Sequence, residues 1–118
     1  MNNLGKLAEL KSVIYLRNKK YDIVDFNYSC RFGEIDIIAK YRKYIVFAEV
    51  KMRNEASIAS PREFVDLSKQ KKIIACAKQY LVNNPTKLQP RFDVIEVICS
   101  DDNEIKSIKH LENAFSLV

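Results

Sequence analysis

Asp36, Glu49 and Lys51 are the residues whose types and spacing most readily do chemistry. Glu49-Val50-Lys51 closes the apolar run Tyr44-Ile45-Val46-Phe47-Ala48. Upstream, Gly33-Glu34-Ile35-Asp36-Ile37-Ile38-Ala39 sets two acids in another apolar run. Side chains alternate faces along a strand. Glu34, Asp36 and Ile38 are therefore expected on one face of the first run, and Ile45, Phe47, Glu49 and Lys51 on one face of the second. An ionised group on a core-type strand is costly unless something pairs with it. A divalent cation with a phosphate beside it would meet that need. Hard cations take oxygen ligands, and Mg²⁺ commonly uses one or two carboxylates with water and phosphate oxygens. Asp36 and Glu49 are the expected ligands. Lys51 is placed to orient an attacking water or to stabilise the charge of a phosphoryl transition state. The plainer alternative is a structural ion pair between these acids and Lys51.

These groups need a scaffold. Residues 4 to about 18 read as a helix, with Leu4, Leu7, Ala8, Leu10 and Ile14 as its apolar face. Residues 21–29, 33–40 and 44–51 read as three strands, and Lys40-Tyr41-Arg42-Lys43 suits a hairpin between the last two. Gly33 marks a bulge or a close backbone approach. Residues 52–60 read as a loop beside the site. Ser60-Pro61-Arg62-Glu63 fits a capping box, and Asp66 is the alternative cap of a slightly later helix running to about Val82. Ile73, Ile74, Ala77 and Leu81 form that helix's stripe, and Asn83-Asn84-Pro85 stops it. A fourth strand spans Phe92 to Cys99. Asp101-Asp102-Asn103 makes a turn, Glu104 to Lys109 a short fifth strand, and Leu111 to Val118 a brief helix. The order predicts one mixed α/β domain, a central sheet flanked by helices.

Composition narrows the function classes. The chain has 118 residues and a net charge of +5, a balance that favours polyanions such as nucleic acid. Arg17/Lys19/Lys20, Lys40/Arg42/Lys43 and Lys69/Lys71/Lys72 carry part of it, and each is equally readable as a solvated face. No apolar run approaches a membrane span, and the first residues lack a signal-peptide core, so a cytoplasmic, non-membrane protein is expected. The three cysteines, Cys30, Cys76 and Cys99, read as buried free thiols in a reducing compartment. His110 is the single histidine, so a His/Cys zinc site or a Ser-His-acid triad has too few members, and an edge position is expected for it.

Four further residues carry weaker signals. Glu34 either touches a metal at the edge of the site or is solvated. Glu9 has no base at i+3 or i+4 and reads, on pattern alone, as a solvated helix residue. Gln70 falls on the buried stripe of the second helix, where an amide needs partners. Lys69 beside it can reach a phosphate.

Asp36 followed by Glu49-x-Lys51 after a hydrophobic strand resembles the PD-(D/E)xK nuclease signature. The fuller pattern is Glu9 with Tyr15-Leu16, Gly33 to Ala39, Val46 to Arg53, Lys69-Gln70 with Ala77 and Tyr80-Leu81, and Arg91 to Val94. Over residues 5 to 99 it resembles the YraN family of small bacterial proteins. Ala8, Ser12 and Met52 stand where that family usually has glycine, alanine and threonine. The resemblance implies a restriction-endonuclease-like αβββαβ fold, similar to archaeal Holliday junction resolvases. It implies that Glu9, Asp36, Glu49 and Lys51 form the catalytic set, with Mg²⁺ or Mn²⁺ on Asp36, Glu49 and Glu9, and that Lys69 and Gln70 bind substrate. The expected activity is endonucleolytic hydrolysis of DNA, in preference to RNA, with branched or structured DNA as substrate. A silent nucleic-acid-binding module and a protein-interaction subunit on the same fold are the alternatives. Resolvases pair because a four-way junction has two-fold symmetry, so a homodimer is in view, although no dimer interface is legible in the residues.

Overall fold

The chain runs α1 (Asn3–Asn18), β1 (Asp22–Cys30), β2 (Gly33–Tyr41), β3 (Tyr44–Asn54), a 3₁₀ turn (Glu55–Ser57), α2 (Leu67–Asn83), β4 (Gln89–Cys99) and β5 (Ile105–Phe115). The computed structural model describes residues 3–57 and 65–116. The sheet order is β1-β2-β3-β4-β5. β1–β2, β2–β3 and β4–β5 are antiparallel, while β3 and β4 are parallel and joined through α2. This is an α/β fold consistent with an αβββαβ restriction-endonuclease-like core, with β5 added at the edge. Among the described residues no helix is long and apolar enough to cross a membrane.

Alternation along β3 separates two cores. Ile45 and Phe47 pack with Ile73, Cys76, Ala77 and Tyr80 under α2. Val46 and Ala48 pack with Ala8 and Leu16 under α1. The α1 face matches the expected one at Leu4 and Ala8 and departs from it at Leu7, Leu10 and Ile14. Ala8, Ser12 and Leu16 are buried, whereas Leu7, Leu10 and Ile14 keep 41%, 55% and 44% of their surface exposed. Small residues one turn apart let the helix backbone approach the sheet, and the larger side chains are left outside. Ser12 costs little in that seam, because its hydroxyl donates to Ala8 O at 2.8 Å. The helix ends in a Schellman motif. Tyr21 N–H donates to Leu16 O and Lys20 N–H to Arg17 O, with Lys20 at φ 72° and the buried rings and methyls of Tyr21 and Leu16 in one core.

The strands also run longer than the hydrophobic pattern indicates. β3 continues through Met52, Arg53 and Asn54, which pair with Val97, Ile98 and Cys99 of β4, where a loop was expected. β5 reaches Phe115, so the segment expected as a short strand and brief helix is one long edge strand as far as it is described. The capping box at residues 60–63 lies outside the described residues. Asp66 is the N-cap of α2, its carboxylate accepting from Lys69 N–H at 2.8 Å. The hairpin turn is Arg42-Lys43, with Arg42 at φ 54°. Gly33 sits at φ 144° with nothing within 4 Å of where a Cβ would be, so backbone angle and not close approach is its reason.

Two further expectations are corrected. Cys30 and Cys76 form a disulfide that ties the end of β1 to the middle of α2, and Cys99 alone is free and buried. The three-thiol reading failed because residues 46 apart in sequence meet only in the fold. His110 does lie on the edge strand β5 but is not at the surface: its side chain is 3% exposed and its Nε2 lies 2.7 Å from Asp93 Oδ2. A histidine on an edge strand is buried here because α1 covers that face, with Tyr15 and Tyr21 rings against the imidazole.

Candidate active site

The site forms where β2 and β3 stop pairing. Their antiparallel ladder ends at Ile37/Ala48. The next position on β2 is Asp36, and its side chain takes over the pairing: Asp36 Oδ2 accepts from Val50 N–H at 2.7 Å. On its other side Asp36 lies opposite Asn27 of β1, a pair missing from the β1–β2 ladder, and Asn27 has φ 52°. An asparagine tolerates that left-handed backbone better than most residues. The interruption shifts β2 by one face. Ile35 and Ile38 pack in the same core, while Ile37 and Ala39 pack in the other. The strict alternation expected for Glu34, Asp36 and Ile38 therefore fails between Ile35 and Ile37.

Asp36 and Glu49 meet at this gap, their carboxyl groups within hydrogen-bonding reach of each other. Burial pushes the Glu49 carboxyl up to about 7, the negative charge of Asp36 and the shared hydrogen bond push the same way, and Lys69 partly offsets them. Lys69 Nζ stands 3.6 Å from Glu49 Oε1. Asp36 is also raised, by burial and by the charge of Glu34, against the Val50 N–H, Lys69 and its bond to Glu49. A buried and a half-buried carboxylate in contact, with one lysine beside them, each make it harder for the other to ionise.

The remaining expected residues take distinct places. Glu9, on the partly buried edge of α1, feels first burial and then the charge of Asp36, is hydrogen-bonded with Asn27, and lies near Glu34. Its carboxyl is raised as a result. Glu34 is exposed and acts on both neighbours through its charge. Among the described residues no group of three or more His, Cys, Asp or Glu is gathered closely enough to hold an ion, so Glu9 is near the pair without joining it. Lys51 is half-buried on the Glu49 side of β3 and sits in register with Glu96 of β4. Gln70 donates its Nε2 to Val65 O at 2.8 Å, which fixes the backbone entering α2.

Glu96 was missed by the sequence reading. It is 1% exposed, and its Oε2 is 3.6 Å from Arg53 Nη1. Asp93, fully buried and bonded by Arg91, His110 and Asn113 N–H, was missed as an acid too. The criterion that picked out Asp36 and Glu49, a charge inside an apolar strand, applies equally to both acids in Phe92–Cys99. Asn27 gave no such signal, since its role lies in its backbone angle.

The donor set fits a hard divalent ion. It offers carboxylate oxygens from two strands, already in contact and short of positive charge, and two protein carboxylates are the usual number for Mg²⁺. The family model for the uncharacterised protein family UPF0102 matches residues 8–97. A UPF0102 protein of Caldanaerobacter subterraneus subsp. tengcongensis is 40% identical over 114 residues, covering 95% of this chain and 93% of that protein. A UPF0102 protein of Clostridium botulinum strain Hall is 41% identical over 117 residues, covering 98% and 95%. These matches run from α1 through β4 and include every residue of the acid pair and its surroundings; the chain belongs to the UPF0102 family, the YraN family.

Proposed function

We propose that this chain is a metal-dependent nuclease that hydrolyses phosphodiester bonds in DNA, with branched or structured DNA as the preferred substrate. The observation that carries this reading is the Asp36–Glu49 pair, two carboxylates in contact on adjoining strands, which gather negative charge where a fold has no structural need of it. Asp36 and Glu49 would hold Mg²⁺ or Mn²⁺. Such an ion supplies Lewis-acid charge at a phosphoryl group and lowers the pKa of a nearby water.

The protein's own groups divide the remaining work. Val50 N–H fixes the rotamer of Asp36, so one carboxylate is oriented before anything binds. Glu49 would hold the ion as the ionised carboxylate, any proton it carries passing to solvent. Lys69, 48% exposed, then leaves Glu49 and turns to a substrate phosphate. Lys51 stands on the same side of β3 as Glu49, where an ammonium stabilises charge building on the phosphoryl oxygens. Glu9 acts from across the gap, its charge drawing a cation toward Asp36. Gln70 holds the entry to α2 and thereby positions Lys69. The DNA preference rests on the likeness to resolvases, and the net charge of +5 supports a polyanionic substrate.

The test is cleavage of labelled junction, flap, single-stranded and duplex DNA by the pure protein, with Mg²⁺ and with chelator. Metal-dependent product that disappears in Glu49→Ala supports the reading. Product that persists in Glu49→Ala, or no product from any substrate with either Mg²⁺ or Mn²⁺, overturns it.

A further inference from the structure

At the other end of β3 a cleft of about 460 Å³ opens between the β2–β3 turn, the start of β4 and β5. Tyr44, on its wall, is five residues from Glu49 on β3, about 17 Å along an extended strand. The cleft is thus separate from the acid pair.

Its back wall is rigid. Arg91 donates Nε and Nη2 to the two oxygens of Asp93 at 2.9 and 2.8 Å, and Nη2 also to Tyr21 Oη at 2.7 Å. The guanidinium lies 4.8 Å from the centre of the Tyr44 ring. Asp93 is held in turn by His110 and by Asn113 N–H. Arg91 is therefore fixed in place, with Glu112 Oε1 a further 4.0 Å from Nη2, and Nη1 is the end of its fork that donates to no described residue. The side wall is aromatic. Tyr41 stacks on Tyr21 with ring centres 4.0 Å apart and planes 4° apart, so its ring cannot turn freely. Arg42, exposed and at φ 54°, lies over that ring at 5.0 Å and has no carboxylate partner among the described residues. Gln89 and Asn113 add amide groups, and Glu112 adds one half-exposed carboxylate.

A fixed guanidinium with a spare donor edge beside an exposed one suits a phosphate. A bare anion does not explain the rest of the wall. A base entering against Tyr41 or Tyr44 takes the place of the Arg42 or Lys43 side chain that lies over that ring, and the amides can pair with the donors and acceptors of its edge. We propose that this cleft binds a nucleotide unit, its base against Tyr41 and Tyr44 and its phosphate between Arg42 and the free edge of Arg91. The unit is either a free mononucleotide or one residue of a single strand. The site needs no turnover at Asp36 and Glu49, so it stands whether or not the chain is a nuclease.

The experiment titrates the full chain, in chelator and low salt, with AMP, adenosine, inorganic phosphate and a five-nucleotide single-stranded DNA. Calorimetry gives affinities, and backbone amide NMR shifts at residues 41–44 and 113 give location. Binding of AMP shifting those amides identifies a mononucleotide site. Binding of the oligonucleotide alone, with the same shifts, identifies a strand site. In either case Arg42→Ala, with an unchanged melting temperature, weakens binding about tenfold, the loss of one charge-assisted contact. The proposal is overturned if phosphate or adenosine alone binds as tightly as AMP or the strand. It is equally overturned if Arg42→Ala leaves affinity unchanged, if the shifts fall elsewhere, or if nothing binds at millimolar concentration.

Discussion

Replacing Glu49 by glutamine should make the metal-free protein more stable at pH 8. Buried against Asp36, Glu49 ionises near 7 in the folded chain, whereas an exposed glutamate ionises near 4.5. The sign follows from which state holds the proton. Between those two values the folded protein keeps a proton that the unfolded chain has released, so stability falls as pH rises through that window. Once Glu49 is fully ionised the accumulated penalty is at most about 3 kcal/mol, at 1.36 kcal/mol for each pH unit between the two values. Glutamine keeps the donor to Asp36 and never ionises, so Glu49→Gln should recover most of that energy at pH 8 and almost none at pH 4. Urea denaturation in chelator, for both proteins across pH 4 to 8, reads the difference directly. A stability gap that does not grow with pH, or a glutamine variant less stable than wild type at pH 8, would refute the claim that two carboxylates compete for one proton here.

Three other outcomes follow from the packing. The Cys30–Cys76 bond spans 46 residues, and the chain-entropy relation assigns about 4 kcal/mol to closing a loop of that size, so reductant should lower the melting temperature by roughly 15 °C, and an unchanged melt would show that the link contributes nothing. Burial pushes Asp93 up, but the hydrogen bonds from His110, Arg91 and Asn113 outweigh it and hold the carboxyl below its ordinary 3.8. That stabilisation is complete above the ordinary value and fades as pH falls below it, so Asp93→Asn should cost about 3–5 kcal/mol at pH 7 and progressively less in acid, read by urea titration at each pH. Asp66→Ala removes the acceptor for Lys69 N–H and should cost about 1 kcal/mol of stability, with α2's first amides exchanging hydrogen faster.

The chain order and the central acids were legible because both rest on local rules. Alternating apolar runs marked β2, β3 and β4, and charges inside the first two of them marked Asp36 and Glu49. What failed depends on neighbours the sequence does not name. Leu7, Leu10 and Ile14 form a convincing apolar face, yet close approach to the sheet selects the smaller Ala8 and Ser12 with Leu16. β5 is too polar in alternation to read as a long strand, and pairing with the buried β4 extends it to Phe115. The one-face slip in β2 falls where Asn27 drops out of the β1 ladder and β3 departs, neither of which alters the hydrophobic pattern of Gly33–Tyr41. His110 and Asp93, 17 positions apart, become one buried pair only after β5 folds beside β4. Glu9 entered through likeness to a family, and the structure puts it within electrostatic reach of Asp36.

The proposed nuclease activity depends on Asp36 and Glu49 acting together on one cation. Manganese titration followed by electron paramagnetic resonance, on wild type, Asp36→Asn and Glu49→Gln, measures that without any substrate. The expected result is one bound Mn²⁺ per wild-type chain, displaced by Mg²⁺ and lost in both variants. Wild-type chain that leaves all the Mn²⁺ free, or variants that bind it as tightly as wild type, would contradict the account.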